Sequence, residues 1–388
     1  MHPPGDYSAL YVAFDPHPSS KGASTHITHM YQALRGYMPK SALLTLEGVP
    51  DAEPDFPEDY YAFQSDEPNY LRRGQEFTRW VGEFMDQQPG LQVAHFRDIW
   101  GGMAVVARPH VRAIFEVNGV PSIELPYRYP HIGPTTLDKL RKLEDYCLER
   151  AQALITPSET IKTHLLSRGV AEELITVIPN GADLHEPQDF PEGLPPQYFL
   201  YQGALQPWQG LDVLLKALRY LEDLPEVPLV ICSAHKERHA KRLHKLAEKL
   251  GVADRIVWRY QVAKPALHQL MEHAVCTVAP LTECSRNLEQ GCSPLKVLES
   301  MACGTPVVAS DLPVVREIVT PEVDGMLCRP GRPADLARAL RVMYEFPELR
   351  DRLGKAARHT IASRYTWEQQ TNKVIEVYRS PIEEFFDA

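Results

Sequence analysis

Residues 291–310 read Gly291-Cys292-Ser293-Pro294-Leu295-Lys296-Val297-Leu298-Glu299-Ser300-Met301-Ala302-Cys303-Gly304-Thr305-Pro306-Val307-Val308-Ala309-Ser310, and the order of signals in them decides the fold. Pro294 opens a helix near its first position, where a missing N–H does no harm. Gly304 ends that helix, and a short apolar run follows at once, as a buried parallel strand does. Working outward, the same alternation fills the chain. Strands are expected over 8–14, 41–46, 91–96, 111–117, 153–156 and 175–178, with helices over 23–35, 71–85, 135–150 and 159–167. The order then restarts, with strands over 198–201, 229–233, 255–258, 275–279 and 306–309 and helices over 211–221, 236–250, 265–273 and 295–302. Beyond Gly331 the pattern is helical. Alternating strands and helices of these lengths spell α/β architecture with parallel sheets.

At 388 residues, with 44% apolar and 24% charged side chains, the chain suits two globular domains rather than one core or a disordered polymer. Residues 185–196 carry four prolines in twelve positions and read as the linker. The expected domains are 1–186 and 187–365, with a terminal helix over 366–388 returning to the first. A formal charge of −10 argues against nucleic acid as a partner. The stretch Met1-His2-Pro3-Pro4-Gly5-Asp6 lacks the basic and apolar regions expected of a signal peptide, and no apolar run approaches the ~20 residues that span a bilayer. Seven cysteines without a Cys-x-x-Cys pair suggest neither a disulfide framework nor a zinc knuckle, so a cytoplasmic protein is expected.

In open parallel sheets, ligands sit at the carboxyl ends of strands. The first such loop is 15–24, where Gly22 permits close backbone approach and the following helix start offers unpaired amides to a phosphate. A plain strand-to-helix turn is the alternative. Glu299 stands within an otherwise apolar helix and needs a partner, for which ligand hydroxyls qualify; Lys296 is one turn earlier on nearly the same face. His95 and Arg97 close another strand, as functional or merely loop-capping residues. His26 and His29 share a helix face but make too small a set for a metal. The 53–69 insert, rich in acid, Pro and Tyr, reads as an acceptor-side loop or an inert excursion. The apolar stripe Phe77, Trp80, Val81, Phe84 and Met85 reads as core, with membrane-surface docking as the alternative.

Residues 293–310, with Val177-Ile178-Pro179-Asn180-Gly181-Ala182-Asp183, resemble the retaining glycosyltransferases of family GT4, which have the GT-B fold of two doubly wound Rossmann-like domains facing a cleft. Asp324-Gly325-Met326-Leu327, Arg329-Pro330-Gly331 and Arg364-Tyr365-Thr366-Trp367-Glu368 extend the resemblance along essentially the whole chain. It implies a nucleoside-diphosphate sugar donor held by the second domain, an acceptor on the first, and no metal or other cofactor. The absence of Asp-x-Asp agrees. In that family the late Glu of an E-x7-E motif holds the ribose, and Glu299 matches it. The first Glu falls on Gly291, so its sugar contact is lost or moved to Glu289, Glu283 or a backbone amide.

Two family cations that grip the diphosphate fall on Ala204 and Gln209 in the Gly203–Gly210 loop. Lys296, in a Ser293-Pro294-Leu295-Lys296 version of the motif, is the expected substitute, with Arg286 second. Many relatives place a His where Asn118 stands, near the donor sugar, and the resemblance implies that Asn118 there can still hydrogen-bond a sugar hydroxyl. Glu116, two residues earlier, would contact the acceptor or cap the next helix. Tyr260 or Arg259, ending a later strand, would stack on the nucleobase or simply pack. The resemblance thus implies hexose transfer with retention by front-face attack, the leaving phosphate taking the acceptor proton. Four residues are placed near the chemistry: Lys296, Glu116, Asn118 and His95. The main rival is an inactive sugar-nucleotide binder or partner subunit. A GT-B epimerase and a Rossmann oxidoreductase follow; the latter lacks its Gly-x-Gly-x-x-Gly fingerprint. A peripheral membrane contact, UDP against GDP and the hexose are left open.

Overall fold

A computed structural model describes residues 6–19, 21–49, 57–186 and 188–380. The first unit comprises residues 1–179 and 370–388, the second 180–369. In the first, strands β1 (Ala9–His17), β2 (Ser41–Glu47), β3 (Tyr60–Phe63), β4 (Val93–Phe96), β5 (Arg112–Glu116), β6 (Ala153–Thr156) and β7 (Ile175–Val177) form one parallel sheet in the order β3-β2-β1-β4-β5-β6-β7. Helices α1 (Gly22–Tyr37), α2 (Tyr70–Asp86), α3 (Ile99–Val105), α4 (Pro121–Arg128), α5 (Pro134–Arg150) and α6 (Glu159–Ser167) connect the strands. The order reverses between β1 and β4, so the loops after these strands form the unit's topological switch point.

Leu10, Val12, Phe77, Phe96 and Ile99 are fully buried in its core. The apolar stripe of α2 faces inward, with Phe77, Val81, Phe84 and Met85 buried and Trp80 against Phe63 and Phe77. Most of the stripe is therefore spent on core packing. The 53–69 stretch holds, in its described part, a strand: β3 pairs in parallel with β2. The short α3 begins where Asp98 accepts from the Trp100 and Gly101 amides at 2.9 Å, a side-chain N-cap.

In the second unit, β8 (Phe199–Gln202), β9 (Leu229–Ser233), β10 (Ile256–Tyr260), β11 (Cys276–Ala279), β12 (Val307–Ser310) and β13 (Met326–Cys328) form a parallel sheet in the order β10-β9-β8-β11-β12-β13. Its helices are α7 (Leu211–Leu218), α8 (Lys241–Leu250), α9 (Lys264–Glu272), α10 (Leu295–Ala302), α11 (Pro313–Arg316), α12 (Pro333–Glu345) and α13 (Pro347–Arg364). The switch point lies between β8 and β11. Gly304, at φ +73°, ends α10 one residue past its cap.

The last helix, α14 (Trp367–Arg379), starts in the second unit and belongs to the first from Gln370. Within the first unit, the buried Arg112 guanidinium donates to Tyr378 O at 2.8 Å and Val377 O at 2.9 Å, filling orphan carbonyls of the helix end. The proline-rich stretch is not the crossing point. The chain changes unit after Pro179, and residues 188–190 lie on α9: Gln188 N donates to Glu272 and Gln269 to Asp189 O, both at 2.9 Å. Prolines there stop regular structure, but the stretch is held by side chains of its own unit. No helix among the described residues is long and apolar enough to cross a membrane.

Candidate functional site

Three chain segments meet at the second switch point: the end of β8, the loop 203–210, and the start of α10. Lys296, second residue of α10, extends its ammonium to Gln209 Oε1 at 2.6 Å and Tyr201 Oη at 3.2 Å, and lies 4.2 Å from the Tyr201 ring centroid. Gly203 makes room for it. At φ +132° its backbone disfavours any side chain, and an added Cβ would stand 2.9 Å from Lys296 Nζ. Gly210, at φ +74°, lets the loop close against the Pro280 carbonyl. Burial pulls the Lys296 ammonium down to about pKa 7. Burial likewise pushes Glu299 up to about 7, against the pull of Lys264 and Lys296. Each charged form is thus costly without a ligand, as expected of groups that await one.

No side chain caps the N-terminus of α10, so its amides and dipole are available to an anion beside Lys296. Pro294 and Leu295 shape that turn. Ser293 is tied down: its Oγ accepts from Asn180 N at 3.0 Å and its carbonyl from Asn180 Nδ2 at 2.7 Å. Asn180 of the Pro-Asn-Gly motif therefore braces the loop that leads into α10. Arg286 sits 5.7 Å from the Trp208 ring centroid and donates to Gly291 O at 3.3 Å. Asn287 Nδ2, beside it, donates to Trp208 O at 3.1 Å. Glu283 and Glu289 are exposed on this loop. Trp208 precedes Gln209, so Arg286 and Lys296 flank the same turn.

Tyr260 lies elsewhere. It ends the edge strand β10, its hydroxyl 2.7 Å from His244 Nε2 and its ring stacked at 10° to Trp258. Its contacts are with Trp258 and with His244 of α8, while Arg259 is exposed.

In the first unit, Gly22 opens α1 without a side-chain cap. Ser24 Oγ takes the Ser19 amide at 2.9 Å and stands 2.9 Å from His17 Nδ1, ordering the loop before the helix. Behind that loop lies a buried polar set. The Glu116 carboxylate meets His26 Nε2, Asn118 Nδ2, Tyr11 Oη at 2.8 Å and His95 Nε2 at 3.1 Å. His95 Nδ1 is 2.7 Å from Tyr378 Oη. The imidazoles and these hydrogen bonds overcome burial and hold Glu116 well below the usual carboxylate range.

The structure corrects two expected roles here. Glu116 is 2% exposed and His95 fully buried. A carboxylate accepts in about four directions, and those of Glu116 are occupied inside the unit. Neither residue is open to a ligand, and Glu116 caps no helix. Asn118, next along the loop, is partly exposed. Arg97 is turned to Asp15 at 3.5 Å and to the Ala23 carbonyl of α1. His26 meets Glu116, and among the described residues no group of three or more His, Cys, Asp or Glu side chains is arranged to hold a metal ion. Sequence reasoning missed Tyr201, Tyr11, Tyr378 and the partnership of Gln209 with Lys296. Only the last left a signal, a cation lost at 209 and one present at 296.

Two doubly wound parallel sheets, each with its switch point, define the GT-B class. A family model described as glycosyl transferases group 1 matches residues 185–360, and one described as glycosyltransferase family 4 matches 20–186. The chain belongs to the GT4 glycosyltransferases. It is similar to the D-inositol 3-phosphate glycosyltransferases of Streptomyces bingchenggensis (33% identity over 254 residues, 61% of this chain and 54% of that protein) and Jonesia denitrificans (30% over 256 residues, 61% and 58%). The chain spans about half the length of the curated relatives it matches. Among solved structures it is similar to sucrose-phosphate synthase from Thermosynechococcus elongatus (TM-score 0.78, 19% identity, 96% and 98% of the two chains). It is also similar to Anabaena HepE in complex with UDP and glucose (TM-score 0.74, 19% identity, 97% and 100%). At these identities the likeness is one of fold.

Proposed function

We propose that this chain is a retaining, metal-independent glycosyltransferase that moves a hexose from a UDP- or GDP-linked donor to an acceptor hydroxyl. The observation that carries this reading is the Lys296 ammonium, held 2.6 Å from Gln209 at the open N-terminus of α10, one turn before Glu299. A diphosphate fits that place. It restores the charge that burial disfavours in Lys296, and the helix amides take its oxygens. Glu299 then accepts from the ribose hydroxyls as a carboxylate. Complexes of HepE with UDP-glucose support a UDP donor. Relatives named for D-inositol 3-phosphate support a phosphorylated cyclitol or sugar as acceptor.

In the reaction, the bond from the anomeric carbon to the β-phosphate oxygen breaks and the acceptor oxygen bonds to that carbon from the same face. The acceptor proton passes to the departing phosphate, so no enzyme base is needed. Lys296 and the α10 dipole offset the charge that gathers on the leaving group. Seven cysteines, none of them in a disulfide, support action in the reducing cytoplasm.

A thermal-shift panel of UDP, GDP, UDP-glucose and GDP-mannose, with and without EDTA, tests the donor, and NMR of the product with inositol 3-phosphate as acceptor tests retention. The expected result is a shift with one nucleotide class, unchanged by EDTA and lost in Lys296→Ala. No shift with any nucleotide overturns the reading. Ala204, Gln209 and Gly291 favour a second one, a donor binder without transfer; a shift with no turnover would select it.

A further inference from the structure

We infer that Glu116, which touches no ligand, is a positioning residue: it holds the Asn118 amide with Nδ2 inward, so that Oδ1 is the atom presented beyond the carboxyl end of β5. The ligand taken there rests on the glycosyltransferase reading. It is a hydroxyl of a sugar or cyclitol, the chemistry that donates to a neutral carbonyl oxygen.

The argument does not depend on which amide atom is drawn where. Two imidazoles and the Tyr11 hydroxyl surround the Glu116 carboxylate, and Asn118 makes the remaining contact. Held ionised by these neighbours, the carboxylate can only accept. The atom of Asn118 that faces it must therefore be the NH2 group. The planar amide then turns its oxygen away from Glu116, on a side chain that is partly exposed. The Asn118 backbone is fixed as well, its N–H donating to Glu116 O at 3.0 Å.

An outward carbonyl oxygen selects among ligands. It accepts from a hydroxyl and repels a phosphate oxygen, so this position discriminates against the charged parts of donor and acceptor alike. The Asn118 amide alone has no such preference, because a free amide flips to suit either. Glu116 removes the choice. His26, on α1, and His95, on β4, make that removal firm by keeping the charge on Glu116. The hydroxyl has two possible sources, the donor's hexose and the acceptor.

Calorimetry on the full chain separates them. UDP, UDP-glucose, and inositol 3-phosphate added to UDP-saturated protein are titrated into wild type, Asn118→Ala, Asn118→Asp and the swap Glu116→Gln with Asn118→Asp. Asn118→Ala should lose about tenfold in affinity for one sugar-bearing ligand, with UDP affinity within twofold. Asn118→Asp sets two carboxylates against each other and should lose at least as much. In the swap the new amide at position 116 donates to the new carboxylate at position 118. The second oxygen of that carboxylate again faces outward, so affinity should return to within about threefold of wild type. Such rescue is a coupling that a merely structural role would not produce. A loss confined to UDP-glucose assigns the donor's hexose, and one confined to inositol 3-phosphate assigns the acceptor. The inference is overturned if the two single variants bind every ligand as wild type does, or if the swap binds no better than Asn118→Asp. If wild type binds no UDP, the transferase reading itself fails and takes this inference with it.

Discussion

Lys296 carries its proton at a cost to the fold. Its folded pKa near 7 lies below the ~10.4 of an unfolded lysine. The fold therefore disfavours the proton, and wild type forfeits stability progressively as pH falls from about 10 to 7. Lys296→Met removes that cost. The ligand-free variant should melt a few degrees above wild type at pH 6, with the gap closing toward pH 10, while its UDP affinity falls about a hundredfold, the worth of a charge-assisted contact. Melting at several pH values and UDP calorimetry check both halves; a variant that melts lower at pH 6 contradicts the assignment. Glu299 mirrors this from the acid side. Its folded pKa near 7 exceeds the unfolded ~4.3, so stability is lost as pH rises through that window. Glu299→Gln should gain stability at pH 8, little at pH 4, and weaken UDP about tenfold. Glu299 drew notice in the sequence because a carboxylate within an apolar helix demands a partner, and Lys296 because the family resemblance left two cation positions, 204 and 209, without a cation. The set around Glu116 gave no such signal. His26 is 90 positions from Glu116, and His95 is 283 from Tyr378; nothing in a single sequence says that such residues meet.

Elements with a strong period or a continuous apolar run were readable, and those defined by a neighbour were not. The helix over 134–150 and the strand over 229–233 announce themselves. α3 has seven residues with two glycines among them, poor helix formers. What justifies them is contact: an added methyl would stand 2.6 Å from Val12 on Gly101 and 2.5 Å from Phe96 on Gly102. β3 hides in a segment of acid and proline because an edge strand needs only one partner, here β2. The end of α14 depends likewise on another element. Arg112→Met leaves the Tyr378 and Val377 carbonyls buried without a donor. That should destabilise the first unit by ~2–3 kcal/mol, lowering its melting transition by about 4–12 °C, as calorimetry would show.

At the scale of the whole chain, composition and alternation foretold two α/β units but not where the chain passes from one to the other. The prolines at 187–196 drew the boundary late, because proline reports a break in regular structure and not a change of unit. Gln188 and Asp189 make their contacts with α9, within the second unit, where the expected domain 187–365 also has them. Two units with separate cores carry a thermodynamic consequence. On the proposed function, a nucleotide held by Lys296 and Glu299 should stabilise the second unit, which contains them, by ~2.7 kcal/mol when UDP is at a hundred times its Kd. Arg112 and Lys296 lie in different units and share no hydrogen-bond partner, so their effects should add to within ~0.5 kcal/mol. In scanning calorimetry, Arg112→Met should lower one component of the melt and leave the UDP-dependent rise of the other intact. Lys296→Met should abolish that rise without moving the first component. The double variant should show both changes at once. A UDP response that vanished in Arg112→Met would mean that the first unit contributes to holding the nucleotide, and that the donor site extends beyond the switch point of β8 and β11.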